Sequence, residues 1–164
     1  LNLPSENYLA EIAEFVDVAA LYEARESVRL CIAIELRDLL KKRYIALLDG
    51  ELTETSGEID LPLRVDLDDR PRQLVCYDHG KSAKTKWELI EVKDGKSRVY
   101  FYPITGRSHQ LRVHAAHHLG LNTPIVGDDL YGTISDRLHL HAEQLQFLHP
   151  ITKEVITLEV SVPF

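Results

Sequence analysis

Between Pro4 and Gly50 the chain has neither glycine nor proline, whereas all eight glycines and the other six prolines fall from Gly50 onward. Glycine and proline are the strongest interrupters of regular backbone, so this distribution divides the chain into two kinds of sequence. The uninterrupted part is expected to be helical. Ser5 is placed to cap a helix starting near Glu6, with Leu9, Ile12, Val16 and Ala19 on one face. A second helical period runs from about Arg25 to Leu40 and turns Val28, Cys31, Ile32, Leu36 and Leu39 inward. Glu11 and Glu14 fall on a solvated face.

After Leu40 the pattern shortens. Tyr44 to Leu48 is an apolar run closed by Asp49-Gly50, the signature of a strand and turn. Residues 51–82 are rich in Gly, Asp, Arg and Pro and predict loops and short strands. Lys84–Val92 and Ser97–Ile104 flank Lys93-Asp94-Gly95-Lys96, a hairpin connection. In the second of these strands Val99, Phe101 and Pro103 lie on one side, with Tyr100, Tyr102 and Ile104 on the other; Pro103 marks its end or an exposed edge. Ser108 or Thr105 is placed to cap a helix carrying Leu111, Ala115 and Leu119 and stopping at Gly120. Gly127-Asp128-Asp129 predicts a loop, Leu138, Leu140 and Ala142 alternate as a strand, and Gln146–Leu148 with Val155–Val162 predict a further hairpin. Hairpins with an interposed helix favour an α+β fold: a mixed, mainly antiparallel sheet with flanking helices.

A length of 164 residues fits one domain, or one domain with an extension. The absence of methionine leads us to expect an internal fragment or a processed chain. No run approaches 18 apolar residues, so no membrane span is expected, and Leu1-Asn2-Leu3-Pro4 does not begin a signal peptide. Cys31 and Cys76 have neither metal nor disulfide-scaffold spacing; both are expected to be buried small hydrophobes, which suits a cytoplasmic location. The net charge of -7 argues weakly against a nucleic-acid partner, but it is unevenly placed. Residues 1–60 hold 13 acidic and 6 basic residues, the whole excess. Residues 95–127 contain no Asp or Glu, and carry Lys96, Arg98, Arg107 and Arg112 with His109, His114, His117 and His118. Such a local field suits a phosphate backbone.

The densest candidate site lies in that region, Thr105-Gly106-Arg107-Ser108-His109-Gln110-Leu111-Arg112-Val113-His114. A glycine permits a tight strand-to-helix turn, and a following helix start offers N–H groups to an anion. Arg107 and Arg112 suit bidentate contacts with phosphate, or one of them a buried carboxylate. His109 and Gln110 add donors for a base or sugar, or satisfy local backbone. His114 and His118 have the spacing of two ligands on a helix face, but without an intervening Glu or a third ligand no metal is expected. His139, His141 and His149 suit structural hydrogen bonding, and Asp128 and Asp129 a turn. Neither a GxSxG, a P-loop nor a GxGxxG motif is present.

Over residues 41–164 the ordered motifs resemble the RluA-type RNA pseudouridine synthase family. They are Lys42-Arg43-Tyr44-Ile45-Ala46-Leu47, Asp60-Leu61-Pro62-Leu63, Asp69-Arg70-Pro71-Arg72-Gln73 and Gly80-Lys81-Ser82-Ala83-Lys84-Thr85. After the Thr105–His114 motif come Pro124-Ile125-Val126-Gly127-Asp128-Asp129-Leu130-Tyr131-Gly132, Arg137-Leu138-His139-Leu140-His141-Ala142 and Phe147-Leu148-His149-Pro150. The resemblance implies a pseudouridine-synthase-like catalytic domain in residues 41–164, preceded by a helical region in 1–40 that does not resemble the family. It implies isomerisation of uridine to pseudouridine in ribosomal or transfer RNA, with no metal or organic cofactor and neither membrane nor DNA as partner. Oligomeric state is left open. By resemblance, Tyr44 packs on the target base and helps proton handling, and Arg112 pairs with the nucleophilic aspartate. Arg107 and His109 support RNA and site geometry, and Leu140 lines the uracil pocket. A stacked tyrosine and a charge-assisted arginine suit a flipped base. The family's His-Arg-Leu-Asp run, which supplies that aspartate, does not occur upstream of Tyr44. The isomerase expectation therefore attaches to the intact parent protein, and its alternative is a non-catalytic RNA-binding module.

Overall fold

The computed structural model describes residues 40–149, 152 and 154–164. The two helices expected before Leu40 lie outside these residues, as does Cys31. Two compact units divide the chain, one made of Lys42–Gln144 with Glu159–Phe164, the other containing Leu145–Leu158.

In the first unit, strands β1 (Lys41–Leu48), β2 (Ser56–Asp60), β5 (Lys84–Lys93), β6 (Lys96–Pro103) and the first part of β7 (Leu140–Leu148), up to Gln144, lie in the order β2-β5-β6-β1-β7. The β1–β6, β2–β5 and β5–β6 pairs are antiparallel. The expected hairpin forms where its turn chemistry allows: Asp94 and Gly95 both take positive φ, 52° and 74°, as a two-residue connection between twisted strands requires. Ile90 is the extra residue of a bulge, since Leu89 faces Val99 while Glu91 faces Arg98. Pro103 closes β6, where its missing N–H costs the ladder little.

Register explains the core. Tyr44, Ala46 and Leu48 oppose Phe101, Val99 and Ser97, and Trp87 and Leu89 oppose Phe101 and Val99, so these side chains share one face. Leu111, Ala115 and Ile125 pack there with Ala46, Leu48, Trp87, Val99 and Phe101. A second, short ladder joins β3 (Leu63–Val65) to β4 (Gln73–Val75), and Leu63 packs with Ala83 and Val113.

Among the described residues one short helix, α1 (Gln110–Ala116), stands where flanking helices were expected. Its ends also differ from expectation. His109, with φ 52°, occupies the N-cap without a capping side chain, and Ser108 and Thr105 do not cap. At the other end the helix stops at Ala116, and the chain folds back through Gly120, where Leu121 N–H bonds the His114 carbonyl and Thr123 N–H bonds that of Ala115. Leu119 is left exposed. The sheet face is covered instead by α1 and the irregular segment after it.

That segment docks on β1: Asp49 N–H bonds Pro124 O, Val126 N–H bonds Leu47 O, and Leu48 bridges Ile125. In the second unit, the ends of β7 and β8 (Val155–Glu159) are tied by Gln146 Nε2 to Thr157 Oγ1 at 3.1 Å and His149 N–H to Glu154 O at 2.8 Å. β7 is one continuous strand from Leu140, rather than the two pieces its sequence suggested. No helix among the described residues is long and apolar enough to cross a membrane.

Candidate active site

Docking of residues 124–126 on β1 delivers Gly127 and Asp128 beneath α1. Gly127 has φ 75°, and a Cβ there would lie 1.8 Å from the Arg137 carbonyl oxygen, so only glycine fits. Asp128 is completely buried. Its Oδ1 accepts the N–H groups of Leu130 at 3.0 Å and Tyr131 at 2.9 Å, which is the turn role read from the sequence. The same carboxylate also receives Arg112 from α1, Nε to Oδ2 at 2.9 Å and Nη2 to Oδ1 at 2.6 Å. Nη2 reaches Asp129 Oδ1 at 2.7 Å, and the guanidinium carbon lies 5.3 Å from the centre of the Tyr131 ring. Burial alone would raise the Asp128 carboxyl, but the Arg112 guanidinium and the Tyr131 and Leu130 N–H groups outweigh it and hold it below the usual carboxylate range. The hydrogen bond to Asp128 correspondingly raises Arg112, against the opposing effect of its burial. The result is a fixed cation whose contacts use Nε and Nη2.

His109 joins this constellation through Tyr131. Its Nδ1 is 2.9 Å from the Tyr131 hydroxyl, which also accepts Gln73 N–H at 2.7 Å. Burial first, and the nearby Arg112 second, lower the His109 pKa, so the ring is neutral at pH 7.

The loop before α1 is held by Gln110. Its Oε1 accepts Thr105 Oγ1–H at 2.8 Å and Arg107 N–H at 2.9 Å. Its Nε2 donates to Lys84 O and Thr85 Oγ1, both at 2.9 Å. Thr85 Oγ1 also lies 2.9 Å from His114 Nδ1, so the two side chains share a hydrogen bond in the core. Burial depresses the His114 pKa to about 4, with the Leu61 backbone a weaker opposing influence. His114 is thus a neutral core group. Arg107 is exposed and anchored by Nε to Ser82 O at 3.0 Å. The N–H groups of the turn that suggested an anion site include one, that of Arg107, already taken by Gln110.

Arg112 and His109 therefore meet with Asp128, Asp129 and Tyr131, while Arg107 lies on the adjoining loop. Tyr44 on β1 and Leu140 on β7 are half-buried and share packing against the main core cluster. Gln110 entered the sequence reading as a donor or as a residue satisfying local backbone, Asp128 as a turn residue, and Thr85 and Tyr131 within longer motifs; the Gln110–Lys84, Asp128–Arg112 and Tyr131–His109 contacts span 26, 16 and 22 residues, beyond any local periodicity. Among the described residues no group of three or more His, Cys, Asp or Glu side chains is placed to hold a metal. Cys76 is half-buried rather than buried. His139 Nδ1 bonds the Arg137 carbonyl at 3.0 Å.

Among the described residues, an antiparallel sheet carries one short helix with a half-buried arginine, Arg112, clamped beside it, and the chain that holds this arrangement matches one known family. It belongs to the RNA pseudouridylate synthase family, which matches residues 22–117. Dual-specificity RNA pseudouridine synthase RluA of Haemophilus ducreyi is 47% identical over 133 residues, spanning 76% of this chain and 59% of that protein. The protein of the same name from Yersinia pestis is 49% identical over 116 residues, 67% of this chain and 55% of that one. The chain thus spans between half and three-fifths of these relatives. Human RNA Pseudouridylate Synthase Domain Containing 1 superposes with a TM-score of 0.67 at 29% identity, over 80% of this chain and 58% of that one. Human RNA Pseudouridylate Synthase Domain Containing 4 shares the fold, with a TM-score of 0.62 at 22% identity over 85% and 64% of the two chains.

Proposed function

We propose that the protein carrying this chain isomerises uridine to pseudouridine in structured RNA. The observation that supports this most is Arg112, in the Thr105–His114 motif, a guanidinium held by a buried carboxylate, Asp128. Such a cation is pre-set to orient a carboxylate or an RNA oxygen without reorganising when substrate arrives. Tyr44 stacks on the flipped uracil, Leu140 lines its pocket, and Arg107 and His109 hold the RNA. An aspartate of the parent protein promotes cleavage of the N1–C1′ glycosidic bond, and the detached base rotates, forms a C5–C1′ bond with the ribose, loses the C5 proton and is protonated at N1. Ribosomal and transfer RNA are the substrates this reading favours, in keeping with the dual specificity named for the relatives. A cytoplasmic site of action belongs to the same reading.

Because rejoining through C5 expels the hydrogen there, tritium release from RNA labelled at uridine C5 is the direct test. The parent protein should release it, and Tyr44→Phe should slow release by about 100-fold or more while RNA binding changes little. RNA bound but never converted would leave a non-catalytic RNA-binding module; RNA neither bound nor converted would refute both.

A further inference from the structure

Tyr131 has a hydroxyl with more to do than fill space. Its ring packs against the Leu63, Ala83 and Val113 cluster and stands edge-on to His109, with centroids 5.7 Å apart and planes at 79°. Its oxygen already accepts the Gln73 N–H from β4 at 2.7 Å. A backbone amide has no other role than donor, so the direction of this bond is fixed. The phenol's single proton remains to be placed, and the polar atom facing it is His109 Nδ1 at 2.9 Å. If Nδ1 carried a hydrogen, two donors would converge on one phenol oxygen and its proton would be left over. The consistent arrangement is Gln73 N–H to Tyr131 Oη, and Tyr131 O–H to His109 Nδ1. A neutral imidazole accepting at Nδ1 must carry its hydrogen on Nε2.

We infer that Tyr131 is a positioning residue that fixes the tautomer of His109, so that His109 presents an Nε2–H donor to an acceptor oxygen of the bound RNA. The RNA half rests on the function proposed above; the tautomer half stands without it. The backbone favours the same outcome. His109 has φ 52°, a left-handed geometry that histidine tolerates better than most residues, and it makes no capping bond to α1. Its ring is therefore held by Tyr131 and not by its own helix. Arg112, Asp128 and Asp129 are the charged groups around it: the arginine disfavours a second proton on the ring and the two carboxylates oppose that. Through Gln73 the arrangement also ties β4 to the start of α1, so placement of the β3–β4 ladder and the orientation of His109 are one event.

The test is spectroscopic, with the full chain labelled with nitrogen-15 at histidine. Long-range proton–nitrogen correlations at pH 7.5 should show His109 as the Nε2–H tautomer. Tyr131→Phe, which keeps the ring and removes the proton, should give a mixture of both tautomers. An Nδ1–H tautomer in the unaltered protein, or an unchanged tautomer in Tyr131→Phe, would overturn the inference. Affinity for a uridine-containing stem-loop RNA is the second readout, with Tyr131→Phe expected to weaken it about 3- to 10-fold, because the His109 ring loses its orientation as well as its single tautomer. His109→Gln places an amide donor near the Nε2 position whatever residue 131 is. In that background Tyr131→Phe should change affinity by less than about 2-fold. Equal losses in both backgrounds would mean that the hydroxyl acts through β4 alone and would refute the donor role. If the unaltered protein binds no RNA, the proposed function and the RNA half fail together, while the spectrum still decides the tautomer.

Discussion

Asp128→Asn isolates the charge at the centre of the site with almost no change in volume. The retained oxygen can still accept from Leu130, Tyr131 and Arg112 Nη2, all of which bond Oδ1. The new amide nitrogen replaces Oδ2, which accepts Arg112 Nε at 2.9 Å, so two donors then face each other. Breaking a buried ion pair costs about 3–5 kcal/mol. Arg112 keeps Asp129 at 2.7 Å and its side chain is 15% exposed, so we take a lower value, about 2–3 kcal/mol. For a chain of this length 1 kcal/mol shifts the melting temperature by about 3 °C, giving a loss of about 6–9 °C. Asp129→Asn is the internal control: its carboxylate is 64% exposed and makes one of the three contacts. It should cost less than about 1 kcal/mol. The sign of the pH dependence follows from the depressed Asp128 pKa. A carboxylate lowered in the folded state contributes fully above its unfolded value, about 3.9, and loses that contribution as pH falls through the lower folded value. Thermal unfolding followed by circular dichroism should therefore show a constant gap between the two proteins from pH 8 to pH 5. The gap should narrow below about pH 4. A gap that persists unchanged at pH 3, or an Asp129→Asn variant as unstable as Asp128→Asn, would refute the reasoning.

How far the sequence disclosed this site depends on whether a residue's role is local. Asp94-Gly95 was legible because a two-residue hairpin demands positive φ, and these residue types supply it within the turn itself. Tyr44–Leu48 was legible as a strand because an apolar run before Asp49-Gly50 has few alternatives. The helix was legible at Leu111 and Ala115 but not at its end, since Gly120 reads as an ordinary stop signal, whereas the helix ends at Ala116 and Gly120 lies in the fold-back that Leu121 and Thr123 bond. Asp128 shows the limit most clearly. Its context, Gly127-Asp128-Asp129, predicts a turn, and the turn exists. Nothing local announces that the same oxygens receive Arg112 from another element; a buried carboxylate was one expected partner for Arg107 or Arg112, but the aspartate that the resemblance implied for Arg112 lay upstream of Tyr44. The expectation of flanking helices failed, among the described residues, for a related reason. A sheet face needs apolar cover, and the irregular chain around Ile125 provides part of it without helical periodicity.

The remaining expectations concern the supports of the site. Gly127→Ala should lower stability by at least about 2 kcal/mol, because alanine is strained at φ 75° and its Cβ would meet the Arg137 carbonyl; a melting temperature within 2 °C of the parent, on the scale of about 3 °C per kcal/mol, would contradict it. Gln110→Leu strips four bonds from a residue that is 4% exposed and should cost about 2–4 kcal/mol in urea unfolding; a neutral result would mean that the loop is held by other contacts. His114 makes the sharpest pH statement. Its folded pKa is about 4, against about 6.5 when unfolded. Between those values the unfolded chain binds the extra proton and the folded one does not, so stability is complete above about pH 6.5 and declines toward pH 4. The full difference corresponds to about 3 kcal/mol. His114→Asn keeps a hydrogen-bond partner for the Thr85 hydroxyl but cannot titrate, so its stability should change much less between pH 7 and pH 4.5 than that of the parent. In the folded parent the His114 ring should remain neutral in nuclear magnetic resonance titrations down to pH 5; a midpoint near 6.5 would show that burial and the Thr85 bond do not exclude the proton.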